Sequence, residues 1–257
     1  MIWIGTAGWS IPRDVAAHFT GEGAHLARYA RVFPCAEINS SFYRAHSRET
    51  YARWAEQTPN SFRFAVKLPQ TITHENALRR ARKPLRAFLS DVEGLGDRLG
   101  PLLIQLPPSL SFEPRVARNF FALLRDAHAG AVVCEPRHAS WFSSRADNVL
   151  HAHRINRVAA DPSHDPASKQ PGGWLADVLY YRLHGSPRKY WSAYSRDYIS
   201  ALAHEFRRAP ETLDVWCIFD NTASSAAAAN ALQLVERLAD IVRDDRLHQP
   251  RAGAPAH

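Results

Sequence analysis

Eight short apolar runs alternate with stretches of helical spacing, and this alternation restricts the fold more than any other feature of the chain. The runs are IWIGTAGW (2–9), AEINSSFY (36–43), FRFAVKLP (62–69), LLIQLPP (102–108), AVVCEP (131–136), RVAAD (157–161), LYYRLHG (179–185) and VWCIFDN (215–221). Each has strand length and is rich in branched or aromatic residues. Helical spacing of apolar residues covers 26–32, 49–56, 85–92, 116–127, 147–153, 198–207 and 226–242. Strands that alternate with helices call for parallel pairing through crossovers, and eight repeats in 257 residues predict a (β/α)8 barrel of TIM type. An open doubly wound sheet is the alternative, but no GxGxxG follows the first run. The sixth unit is irregular: DPSHDPASKQPGGW (161–174) carries three prolines and a Gly-Gly pair, so a long loop replaces the sixth helix, placed to act as a lid or binding wall.

Polar residues close these runs where the barrel reading puts the C-terminal face, the face on which such barrels build their sites. Residues i and i+2 of a strand share a face, so Glu37 with Asn39, Glu135 with Arg137, and Arg182 with His184 point into one opening, joined by Lys67, Gln105, Asp161, Asp220 and Asn221. The bland alternative is internal salt bridging, Glu135 to Arg137 or Glu37 to Lys67, which neutralises the opening without chemistry. Glu37 and Glu135 are the candidate acid and base, a pair of the type used in glycoside hydrolysis. His74, His138 and His184 are candidate proton carriers, with His184 favoured by Arg182 beside it. Arg137, Arg182 and Lys67 suit a phosphate or carboxylate. Schiff-base chemistry at Lys67 would be opposed by neighbouring glutamates. Trp9, Tyr43, Trp141, Tyr190 and Trp191 could stack on a ring or pack between loops. Metal ligation by Glu37, Glu135, His184 and Asp220 is a minority reading with no local HExxH motif, so no metal ligand is assigned and no cofactor is implied.

The net charge of +7 favours anionic partners, with clusters at RRARKPLR (79–86), PRK (187–189) and the tail. Cys35, Cys134 and Cys217 are widely spaced, which suits a reducing, cytoplasmic setting, and neither a signal peptide nor a membrane span is apparent. Residues 1–248 are expected to form one domain and 249–257 a basic, disordered tail; nothing in the sequence points to an oligomeric state.

GTAGWS, AEINSSFY, FAVKLPQTITH, LLIQLPPS, EPRHASW, YYRLHG and FDNT, in this order from about residue 2 to residue 240, resemble the motif series of the YecE-like family, domain of unknown function 72. The resemblance implies a (β/α)8-type barrel with a pocket at the C-terminal end and no settled reaction. Two positions depart from the family pattern: Ala7, where a small hydroxyl residue is usual, and Asp220, where Phe-Asn-Asn is usual. Two functions follow. The first is a protein that binds or converts a small anionic or carbohydrate-like ligand by acid/base chemistry of hydrolase or lyase type. The second is a nucleic-acid-binding or nucleic-acid-processing protein that uses the basic loops around the same opening.

Overall fold

In the computed structural model the described residues are 1–163 and 165–248; the tail expected over 249–257 lies outside them. All eight apolar runs become strands: β1 Ile2–Thr6, β2 Cys35–Ile38, β3 Arg63–Lys67, β4 Leu99–Gln105, β5 Val132–Glu135, the divided pair β6 Asn156–Arg157 and β7 Ala159–Asp161, then, beyond a two-residue β8 Gly172–Gly173, β9 Val178–Leu183 and β10 Asp214–Phe219. The helices are α1 His25–Tyr29, α2 Arg48–Glu56, α3 Arg82–Val92, α4 Pro114–Ala127, α5 Ser144–Ala152, α6 Arg196–Arg207 and α7 Ala226–His248. Serine side chains set three of the helix starts, with Ser47, Ser143 and Ser195 accepting from the backbone N–H three residues on, and Pro114 opens α4. The buried faces have helical period: Ala117, Phe120, Phe121 and Leu124 on α4, and Ile199, Leu202, Ala203 and Phe206 on α6.

The strands form a mixed α/β fold with parallel sheets. Among the described residues there are two, in the orders β1-β10-β9-β7 and β2-β3-β4-β5-β6-β8, rather than the single continuous sheet that the alternation predicts. Every pairing between named strands is parallel except that of β6 with β8. The sheets meet twice. Asn156–Asp161 serves both, since β6 pairs with β5 while β7 pairs with β9, and Val158 N–H between them donates to Cys134 O at 2.8 Å. Between β1 and β2 only the Ala7–Glu37 bridge forms, with Gly8 N–H on Glu37 O at 2.8 Å. The physical reason is a side chain: the buried Tyr29 hydroxyl accepts from Thr6 N–H at 2.8 Å and donates to Cys35 O at 3.1 Å, taking the place of direct ladder bonds. Gly5 permits this close approach, because a Cβ there would lie 2.1 Å from Cys35 O.

The apolar interior divides into two clusters. The larger packs helices against one face of the strands. The smaller takes Trp3, Cys35, Ala65, Leu103, Val133, Val158, Tyr180, Trp216 and Ile218 from the other face. In the sixth connection no α-helix forms among the described residues; a short turn Pro166–Lys169 and β8 stand there. Arg157 fastens that loop beside α5, donating to Asp147 Oδ1 at 3.0 Å and Ala167 O at 2.8 Å. No helix among the described residues is long and apolar enough to cross a membrane, and the three cysteines are free and buried.

Candidate functional site

The small cluster and the polar strand ends lie on one set of faces. Two residues beyond Cys35, Ala65, Leu103, Val133, Tyr180 and Ile218 come Glu37, Lys67, Gln105, Glu135, Arg182 and Asp220, so each strand passes from apolar to polar along the same face. All six polar residues are buried.

Arg182 is the centre. Its Nε and Nη2 donate to Glu37 at 3.0 and 2.7 Å, Nη1 donates to Glu135 at 2.5 Å, and Nη2 also reaches Asp220 at 3.1 Å. Glu37 accepts a further bond from Tyr180 OH at 3.0 Å. Glu135 accepts from Arg137 Nε at 3.0 Å, and the two nitrogens of His184 face Glu135 at 3.1 Å and Asp220 at 2.9 Å. Burying an ion costs several kcal/mol unless bonds of this quality replace its water, and here nearly every charged atom has a partner. Burial pushes the Glu135 carboxyl up, but Arg137, Arg182 and His184 outweigh it and hold the group well below the usual carboxylate range. Asp220 is lowered in the same way: Arg182 and His184 overcome burial. Burial and the adjacent Glu37 push the Tyr180 phenol up, keeping it a donor. Because one guanidinium joins Glu37 to Glu135, the space between the two carboxylates is filled, and the flanking-carboxylate arrangement of a glycosidase is not what these residues form.

Around this saturated floor stands a rim of cations. Lys67 is 5% exposed, and its Nζ lies 3.9 Å from the centroid of the Phe42 ring, with no hydrogen bond or ion pair among the described residues. Burial, then Arg182, push its ammonium down to about 8 against the pull of Glu37, Glu135 and Asp220. Lys189 is also pushed down to about 8, by burial and then by Arg137. His74 packs its ring edge on Phe42 at 4.8 Å and bonds Thr73 Oγ1 through Nδ1 at 2.9 Å; burial, Lys67 and Arg137 lower it. It sits in a π-helical turn, Thr71–Glu75, directly after β3. Arg137 Nη1 donates to Tyr190 OH at 3.2 Å, and the Tyr190 ring stands edge-on to His184 at 5.4 Å. Tyr190 holds φ at 65°, a left-handed conformation unfavourable for a side chain of this size. The turn that returns it begins at Gly185, with φ at 91°, where a Cβ would lie 2.6 Å from Ser192 O.

Glu37, Lys67, Glu135, Arg137, Arg182, His184 and Asp220, placed on one face by their strand spacing, lie together in the structure, with Tyr190 and His74 beside them. The Glu135–Arg137 pair of the bland reading forms, whereas Glu37 pairs with Arg182 in place of Lys67. Gln105 is buried beside Glu135 in register and donates Nε2 to Leu106 O at 2.8 Å. The other expected residues have other partners. Asn39 follows β2, with its Oδ1 sealed and unpartnered, and Tyr43 is 69% exposed with its ring against Phe42. His138 caps the turn Ala139–Trp141 by accepting from Ser140 N–H. Trp141 is buried, donates Nε1 to Leu110 O at 3.0 Å and packs on Phe112. Asn221 Nδ2 donates to Ser192 O and Asn230 Oδ1, both at 3.0 Å, tying the loop after β9 to α7. Trp9 packs on Trp54 and Phe64. Two residues are missing from the sequence-based set: Tyr180, whose signal was its place two residues before Arg182, and Lys189, visible only as part of a basic cluster.

Among the described residues, no group of three or more His, Cys, Asp or Glu side chains is arranged to hold a metal; Glu37, Glu135, His184 and Asp220 are committed to Arg182 and to one another. A cavity of about 780 Å³ lies at the opposite ends of the strands, lined by Trp3, Arg63, Val178, Asp214 and Trp216. A second, of about 370 Å³, reaches Glu37 past Gly8, Trp9 and Asn39.

Residues 3–253 match the family described as "Protein of unknown function DUF72". The chain belongs to the DUF72 family. The UPF0759 protein YecE of Escherichia coli K12, a curated relative, is 35% identical over 168 residues, which are 63% of this chain and 59% of YecE. The chain thus spans well under two thirds of YecE in that match. The UPF0759 protein YunF of Bacillus subtilis 168 is 24% identical, covering 93% of this chain and 95% of YunF. Solved structures of DUF72 family proteins from Thermotoga maritima MSB8 and Enterococcus faecalis V583 superpose with TM-scores of 0.73 and 0.73 at 23% and 21% identity. They cover 93% of this chain in each case, and 99% and 98% of the neighbours. At that identity they bear on the fold alone. Within the DUF72 motif series, the departure at Asp220 has a structural consequence: its carboxylate accepts from both Arg182 and His184, bonds that an asparagine could make only as a neutral acceptor.

Proposed function

We propose that this DUF72 chain binds a small anionic ligand, phosphorylated or carboxylated, on the cationic rim at the C-terminal ends of its strands. The observation that carries the reading is Lys67: a buried ammonium with no carboxylate in ion-pair reach among the described residues, in a site whose three carboxylates are all spent on Arg182. Burial lowers Lys67 and Lys189, Arg182 lowers both further, and Arg137 adds to the depression of Lys189, a strain that an anion would relieve. Arg137 offers a donor fork and the lysines point charges, the combination suited to phosphate or carboxylate. Glu135 orients Arg137, and proton transfer falls to His74, whose Nε2 has no partner among the described residues, while both nitrogens of His184 are held by Glu135 and Asp220.

The reading includes ring closure of the strands into a slightly irregular (β/α)8 barrel, with residues 1–248 as one domain. Its support is the two joints between the sheets and the small apolar cluster, to which every long strand contributes. The nucleic-acid alternative has less beneath it, because Arg79 of the RRARKPLR cluster is paired with Glu113 and Lys189 turns inward.

Thermal unfolding across inorganic phosphate, sulfate, small phosphorylated and carboxylated metabolites and neutral sugars tests the proposal. Anions should raise Tm and neutral sugars should not, with about 2.7 kcal/mol of stabilisation expected at a hundredfold excess over Kd; the Lys67→Met variant should lose the response. Equal responses in the wild type and the variant would overturn it.

A further inference from the structure

The chain uses arginine 28 times and lysine four times, at 67, 83, 169 and 189. A site that needs only positive charge is therefore most often served here by a guanidinium, and lysine at position 67 is a choice of a different chemistry. An arginine cannot lose its proton in water, whereas an amine can, and the free amine is a nucleophile.

We propose that Lys67 acts as that nucleophile, condensing through Nζ with the carbonyl group of an anionic ligand, a 2-oxo acid or a phosphorylated aldose or ketose, to give an imine. This rests on the anion-binding reading above and deepens it. The geometry has three parts. The glutamates expected to hold Lys67 as an ion pair are bound elsewhere: Glu37 to Arg182 and Tyr180, Glu135 to Arg182, Arg137 and His184. The amine rests on the Phe42 ring, an apolar seat that tolerates the neutral form. It also remains open. Among the described residues the sealed side-chain atoms without partners are Trp3 Nε1, Asn39 Oδ1, Arg98 Nε, His128 Nε2, Asp161 Oδ2 and Asn221 Oδ1, and Lys67 Nζ, partnerless there as well, is not one of them. Burial and Arg182 bring the ammonium down to about 8 from 10.5, which raises the free amine near neutral pH by roughly two orders of magnitude.

The step balances without a redox partner. The Nζ lone pair forms a bond to the carbonyl carbon, and a proton moves to the oxygen, giving a carbinolamine. The C–O bond then breaks, the remaining nitrogen proton and the hydroxyl leave as water, and the C=N bond forms. His74, on the same phenyl ring, is placed to carry the proton, and Arg137 and Lys189 hold the anionic group.

The test uses the wild-type chain. Pyruvate, glyceraldehyde 3-phosphate and neutral glycolaldehyde are each incubated with the protein at pH 8 in the presence of borohydride, which reduces any imine to a stable secondary amine, and adducts are mapped by peptide mass spectrometry. The expected result is labelling of Lys67 by an anionic carbonyl on the order of tenfold above Lys83 and Lys169, suppressed by inorganic phosphate. Equal labelling of Lys67 by glycolaldehyde, unaffected by phosphate, would uphold the nucleophile and overturn the anion site. Stabilisation by phosphate with no excess label on Lys67, or with the label on Lys189, would overturn the nucleophile and leave the anion site standing.

Discussion

Arg182 and Lys67 are both cations buried at strand ends in one site, and their surroundings are opposite. Arg182 meets three carboxylates, each with a further donor of its own; Lys67 meets a phenyl ring and, among the described residues, no carboxylate within ion-pair distance. A buried guanidinium with a full set of acceptors is part of the framework, since removing it strands the charges it neutralises. A buried ammonium without acceptors contributes little to the framework, which is why the proposed anion site is centred on it. On the proposed reading the floor of the site is structural and its rim is available to an anion, although both are built from the same kinds of residue.

That division can be broken by mutation. Arg182→Leu leaves Glu37, Glu135 and Asp220 without their shared partner and should cost about 3–5 kcal/mol in denaturant unfolding. Lys67→Met removes an ammonium held at about 8 in the folded chain against 10.5 when free, and should raise stability at neutral pH rather than lower it. Equal losses would erase the distinction between floor and rim. Glu135→Gln weakens acceptance from Arg137, Arg182 and His184, and we expect a loss of about 2–3 kcal/mol. As a candidate acid or base alone Glu135 would be replaceable without loss of stability; its place in the floor predicts a loss of stability as well.

The two regions respond to pH in different windows, with stability rising as pH rises in each. The depressed carboxyls of Glu135 and Asp220 contribute stability that is complete above the ordinary carboxylate range and lost as pH falls through their folded values. Lys67, at about 8 when folded against 10.5 when unfolded, sheds its proton first in the folded state, so stability should rise with pH across that window. The rise should be smaller in Lys67→Met, as read from urea midpoints. The smallest effect is expected outside both regions: His138→Ala removes a cap and should cost about 1 kcal/mol without altering anion binding.

Much of this was legible in the sequence because strand periodicity is local. The spacing of Glu135 and Arg137, or of Arg182 and His184, puts each pair on one face whatever the tertiary structure. The alternation of runs and helices likewise set the order of the elements, and the prolines and Gly-Gly pair of 161–174 marked the sixth connection, where no α-helix forms among the described residues. What was not legible depends on pairing across strands. Glu37 meets Arg182 rather than Lys67 because of how the faces of β2 and β9 converge, and no spacing within either run encodes that. The division into two sheets at β1 and β2 turns on Tyr29, a residue of α1 whose hydroxyl enters from outside both strands. His138, Trp141 and Asn221 lie at or just past strand ends in sequence, but the chain bends there into a cap, the core and a loop tether. Lys189 reaches the rim only through the turn at Gly185 and the left-handed Tyr190, a long-range consequence of backbone conformation.

With only four lysines in the chain, carbon-13 labelling of the lysine side chains and titration by NMR tests the central claim most directly. The account predicts that the resonances of Lys67 and Lys189 titrate near 8, and that inorganic phosphate moves both upward as an anion stabilises the ammonium forms. If all four titrate near the ordinary 10.5, with no response to phosphate, the rim has no unpaired cation waiting for a ligand, and the account is contradicted.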